Sequence, residues 1–96
     1  MIIHRNELGQ LHRVDGPALT IPDGTQLWYL NDQLHRDDGP AIEWEDGTRL
    51  WYLNNQQHRT DGPAVMRANG TQEWWLNGVQ VDELTVWLLA GAKEHA

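Results

Sequence analysis

Apolar residues come in short bursts along this chain, and the bursts recur. "TQLWYLN", "TRLWYLN" and "TQEWWLN" begin at Thr25, Thr48 and Thr71. Each is rich in aromatic and branched residues that fit a pleated surface. Each follows Asp-Gly or Asn-Gly, in "PDGT", "EDGT" and "ANGT", and ends in a second turn at Asn31-Asp32, Asn54-Asn55 or Asn77-Gly78. Such pairs tolerate positive φ and close hairpins. The pattern predicts β-structure with two strands per unit, because two strands return every copy to the same orientation. The longer strand of the second unit runs through "QLHRDDGPAIEW" with a kink near Gly39-Pro40, where proline cannot donate to a ladder.

A shift of 23 residues superimposes "HRVDGPA" from His12 on "HRDDGPA" from His35 and "HRTDGPA" from His58, and 11 of the 23 positions are identical in all three copies. A fixed period of this length marks a repeat architecture. Alternation along a strand sets the faces. Trp28 and Leu30, Trp51 and Leu53, and Trp74 and Leu76 share one face. Leu27, Tyr29, Tyr52 and Trp75 share the other. Equivalent residues lie two strands apart, about 10 Å.

The residues Trp28-Tyr29-Leu30-Asn31, His35-Arg36 and Asp38-Gly39-Pro40-Ala41, with their copies, resemble MORN-type repeats. The matching variant is "W-Y-x-N-G-x-x-H-R-x-D-G-P-A" of small bacterial and phage proteins. The resemblance covers about residues 8 to 78. It implies a mainly β, elongated, twisted antiparallel sheet of 23-residue hairpin repeats. It also implies an interaction module, since members mostly serve that role and some relatives are regarded as antitoxins. The chain then divides into a degenerate N-terminal cap (1–10), three repeats (11–78) and a C-terminal strand remnant with a helix (79–96). His4-Arg5 stands where Leu27-Trp28 would align, and Val81-Asp82 where a fourth His-Arg would sit.

The end of the chain, "VQVDELTVWLLAGAKEHA", has another rhythm. Asp82 is placed to cap a helix of two to three turns, with Glu83 favourable in its first turn. Leu84, Trp87 and Leu88 follow helical spacing, widened by Val86 and Leu89. That stripe is expected to cover apolar sheet surface as a capping helix.

Charge narrows the partners. Seven basic and 14 acidic residues leave a formal charge of −7, which disfavours direct nucleic-acid binding and an anionic membrane surface. A protein with a basic surface is the expected partner. There is no cysteine, no apolar leader in "MIIHRNELGQ" and no window approaching a membrane span, so a cytoplasmic location is expected.

A histidine, an arginine and an aspartate within four residues invite a catalytic reading. Three copies along a sheet do not make one constellation, and the chain has neither Ser nor Cys to act as nucleophile. Three histidines about 10 Å apart cannot share one zinc ion, whose ligands lie about 2 Å away. No enzymatic activity, metal or cofactor is expected. Arg is expected to pair with Asp across the kink, and His to satisfy backbone carbonyls.

Function is then expected where the copies differ. The second unit gathers Asp32, Asp37, Asp38, Glu43, Glu45 and Asp46 beside Trp44, Trp51 and Tyr52. Acidic groups around aromatic anchors suit a basic protein surface. The candidate partner-binding residues are Trp28, Trp51, Trp74, Tyr52, Trp44, Asp37, Asp38, Glu43, Glu45 and Asp46. A sheet one layer thick with large side chains on both faces is expected to leave an apolar patch that a second copy or another protein covers. The expected role is a small acidic inhibitor of a host protein: an anti-CRISPR, another counter-defence factor or an antitoxin-like neutraliser. The alternatives are a nucleotide or small-molecule sponge and an oligomerising structural protein. In the third unit Glu73 replaces Leu27 and Leu50, which suggests a face not uniformly buried there.

Overall fold

The computed structural model describes residues 1–94, with side-chain placement up to residue 89. Its extents are 44 × 30 × 20 Å, an elongated shape that follows from adding strands along one direction. The elements are β1 (Ile2–Ile3), β2 (Leu19–Thr20), β3 (Gln26–Leu27), β4 (Tyr29–Leu30), β5 (Gln33–Leu34), β6 (Ile42–Glu43), β7 (Arg49–Leu50), β8 (Tyr52–Leu53), β9 (Gln56–Gln57), β10 (Val65–Met66), β11 (Gln72–Leu76), β12 (Val79–Val81) and α1 (Glu83–Glu94). Eight strands form an antiparallel sheet in the order β1-β2-β3-β6-β7-β10-β11-β12, and β4-β5 and β8-β9 form hairpins.

Two strands per repeat is the observed arrangement, and the kink has a definite form. Tyr29 pairs with Leu34 and Leu27 with Ile42. Between those pairs Trp28 donates its N–H to the Ala41 carbonyl at 2.7 Å and accepts from the His35 N–H at 3.1 Å. One residue therefore faces both His35 and Ala41, and residues 36–40 loop out. The next repeat does the same around Trp51, with Ala64 and His58.

Register sorts the side chains into rows. Ile3, Leu19, Leu27, Ile42, Leu50, Val65 and Glu73 are successive cross-strand partners, as are Ile2, Thr20, Gln26, Glu43, Arg49, Met66 and Gln72. The first row holds much of the core, with Leu27, Ile42 and Val65 buried. Ala18, Ala41 and Ala64, where the chain returns from each loop, are fully buried.

Successive hairpins are fastened to each other at both ends. At one end the turn asparagine has positive φ (Asn31 50°, Asn54 49°, Asn77 51°), and its N–H donates to the Nδ1 of the histidine 19 residues earlier. The three distances are 3.1 Å to His12, 3.0 Å to His35 and 2.9 Å to His58. Asp32 and Asn55 add side-chain acceptors for the Leu11 and Leu34 N–H groups. At the other end the Thr25 Oγ1 accepts from the Glu45 N–H and the Thr48 Oγ1 from the Ala68 N–H. The expectation that histidine serves backbone carbonyls is thus corrected: it accepts from an N–H group of the following turn. Both turn residues have positive φ, and the asparagine N–H is met by the histidine Nδ1.

The helix begins where sequence placed it. The Asp82 carboxylate accepts from the Thr85 N–H at 2.8 Å and its Oγ1 at 2.6 Å. Only part of the expected stripe turns to the protein. Val86 is 3 % exposed, whereas Leu84, Trp87 and Leu88 are each more than half exposed. The helix packs against β11, with Val86, at the margin of the expected stripe, as its buried residue and the central Leu84, Trp87 and Leu88 turned outward.

At the far end of the apolar row Glu73 bonds Arg67 at 2.7 Å and the Trp75 indole N–H at 3.0 Å. The Arg67 guanidinium, then the Trp75 donor, hold its carboxyl below the ordinary value of 4.5. The Thr85 donors do the same for Asp82, below 3.8. A carboxyl whose pKa is lowered by folding stabilises the fold above its unfolded value, and that contribution disappears as pH falls through the folded value. Glu73→Gln is therefore expected to lower stability at neutral pH and to flatten its decline below pH 4.5. Urea midpoints measured across that range check the outcome.

Candidate functional site

The phrase His-Arg-x-Asp-Gly-Pro-Ala is a device for holding an arginine against a tryptophan. The Arg36 guanidinium lies over the Trp28 ring at 3.9 Å, and Arg59 over Trp51 at 4.0 Å. The Arg36 Nε donates to Asp38 at 3.1 Å and a terminal nitrogen donates to the Pro40 carbonyl at 3.1 Å. Arg59 repeats this with Asp61 at 2.7 Å and Pro63 at 3.0 Å. The Asp pairing agrees with the sequence reading.

Gly39 completes the sandwich. A methyl group there would come within 2.9 Å of the Arg36 guanidinium carbon, and one at Gly62 within 2.7 Å of that of Arg59. Any side chain there requires the guanidinium to shift. Gly39→Ala is therefore expected to expel Arg36 from the stack and cost about 1 kcal/mol, the scale of one cation–π contact. In an Arg36→Ala background the same change should cost almost nothing. A double-mutant cycle by urea denaturation reads the non-additivity.

The equivalent positions on either side of these two differ from them. Arg5 stands one repeat before Trp28, so among the described residues no tryptophan lies beneath Arg13, which instead lies 3.2 Å from the His4 Nε2. Trp74 carries no guanidinium among the described residues, because Asp82 occupies the arginine position and caps the helix.

Successive loops wall two like clefts on this face. The first, about 540 Å³, lies between the Arg13–Pro17 loop and the His35–Asp38 segment, with Trp28 and Leu30 in its lining. The second, about 470 Å³, is bounded by Arg36–Pro40 and His58–Asp61, with Trp51 and Leu53. Asp37 and Asp38 line both. Their side chains are 82 % and 87 % exposed, and Asp37 accepts from the His35 Nε2–H at 3.0 Å. Both ring nitrogens of His35 are consequently engaged. The described residues include no group of three or more potential metal ligands.

The expected site residues are only partly brought together. Trp28, Trp51, Asp37 and Asp38 meet at the clefts. Glu43 lies on the same face, 3.9 Å from Arg36. Trp74 continues the tryptophan face beyond them. Trp44, Glu45 and Asp46 sit at the β6–β7 turn, where the Trp44 N–H donates to the Thr48 carbonyl. Tyr52 points to the other face by strand alternation. The expected patch of open tryptophan is also corrected: Trp28 and Trp51 are half-buried, each beneath its arginine, and the exposed indoles are Trp44 and Trp87. Sequence reading missed the cleft walls themselves, Leu30, Leu53 and the motif arginines. The one available signal was that each arginine follows its tryptophan by eight residues.

No protein-family model matches the chain, and no curated protein or solved structure does. No helix among the described residues is long and apolar enough to cross a membrane.

Proposed function

We propose that this chain is a non-enzymatic protein-binding module of MORN-type repeats. It acts in the cytoplasm as a small acidic phage or bacterial inhibitor that covers a functional surface of a host protein. Anti-CRISPR, other counter-defence and antitoxin-like roles are the members of that class. The observation that carries this reading is the exposed Asp37–Asp38 ridge between two clefts lined by tryptophan. Carboxylates on a convex ridge steer and register a basic surface, while neighbouring aromatic recesses supply anchoring area. The engagement of both His35 nitrogens, together with a chain lacking Ser and Cys, supports binding over catalysis.

Replacing Asp37, Asp38, Glu45 and Asp46 with their amides tests it. Recovery of a basic host protein from lysate at low ionic strength should fall about tenfold, with weaker salt dependence for what remains. Equal recovery by the parent and the quadruple variant would sink the electrostatic part.

A second reading, self-association, is favoured by the outward apolar stripe of the helix, where Leu84, Leu88 and Leu89 are each more than half exposed. Sedimentation equilibrium of the parent and of Leu88→Glu decides it.

A further inference from the structure

We infer that the two clefts form one bivalent site for a basic peptide segment in polyproline-like conformation, each taking a lysine or arginine side chain, the two spaced three residues apart. This rests on the protein-binding reading above and specifies the chemistry of its partner.

The first argument is charge. Arg36 and Arg59 reach the clefts but are committed, each bonded to its own aspartate and proline carbonyl and stacked on a ring. Arg13 likewise pairs with Asp15 at 3.1 Å. With those pairs cancelled, one carboxylate, that of Asp37, is left over and is shared by the two clefts. An entering anion meets net repulsion and an entering cation net attraction. The second argument is shape. Leu30 in one cleft and Leu53 in the other offer apolar lining to the methylene stem of a long cationic side chain, whose charged end stays at the wet rim. The third is spacing. The clefts repeat with the 23-residue unit, two strands apart, about 10 Å. A polyproline-like chain advances about 3.1 Å per residue with three residues per turn, so side chains three residues apart span about that distance and point to the same side. Two linked contacts then act together, and the second becomes intramolecular.

The probe is a set of short, otherwise neutral peptides carrying two lysines, titrated into the intact protein at low ionic strength with intrinsic tryptophan fluorescence as readout. The peptide with lysines three apart should bind about fivefold tighter than one of the same composition with lysines five apart. Asp37→Asn should weaken it about threefold, and Leu53→Asn, which spoils one cleft, should erase the spacing preference. Thermal melts check that both variants fold. Equal affinity for both spacings overturns the inference, as does indifference to Asp37→Asn or a preference for a helical peptide with lysines seven apart. If the quadruple acid variant loses its lysate partner while the peptides bind without regard to spacing, the bivalent site fails and the protein-binding reading survives.

Discussion

Trp51→Ala is expected to lower the unfolding free energy by about 3 kcal/mol, at the lower end of the range for removing a large aromatic because the ring is only half-buried. Its indole supports the Arg59 guanidinium, and its backbone is the single point where the strand faces both His58 and Ala64. Truncation removes the ring and leaves Arg59 poised over a void. For a domain of this size the melting temperature should drop by more than about 10 °C. Trp44→Ala is the control. That indole is 42 % exposed at a turn, and its removal should cost less than about 1 kcal/mol. Calorimetry of the two variants beside the parent decides the matter. Similar losses would mean that the arginine–tryptophan layer contributes no more than ordinary surface.

Ala41→Leu is expected to be as damaging for the opposite reason. The Ala41 methyl has no exposure at all, and its backbone is bonded on both sides, to the Leu50 carbonyl at 2.8 Å and from the Trp28 N–H at 2.7 Å. The strand cannot retreat without breaking one of those ladders. Added methylenes in a closed site usually cost about 1–3 kcal/mol, and the pinned backbone places Ala41→Leu at the upper end. Ala41→Gly should be milder, about 1 kcal/mol. Urea unfolding of both variants tests the ordering. A leucine variant more stable than the glycine variant would show that room exists beside Ala41.

Much of the architecture was legible in the residues. Asn-Asp, Asn-Asn and Asn-Gly announce positive φ, and all three turns adopt it. Proline in the second strand announces a break, and a five-residue loop stands there. What could not be read was which residues meet across that loop. The requirement for glycine at position 39 is set by Arg36, three positions away, and by a ring eight positions before that arginine. Neither spacing has meaning until the loop geometry is known. The histidine role was hidden in the same way, because its acceptor nitrogen serves a turn 19 residues later. The helix misled for a different reason. Its apolar residues surround much of its circumference, and periodicity alone cannot say which arc meets the sheet. The candidate residues were chosen by type, so the clefts, built from loop walls, gathered only some of them.

The fastenings between neighbouring units do not depend on where in the chain they occur. His12, His35 and His58 each hold the following turn by the same bond, and the series halts where aspartate takes the arginine place and starts a helix. A duplicate of residues 35–57 spliced in before His58 should therefore be accepted as one more rung, lengthening the molecule by about 10 Å. The length of the sheet would then be an adjustable quantity, written in the number of copies preceding the terminator.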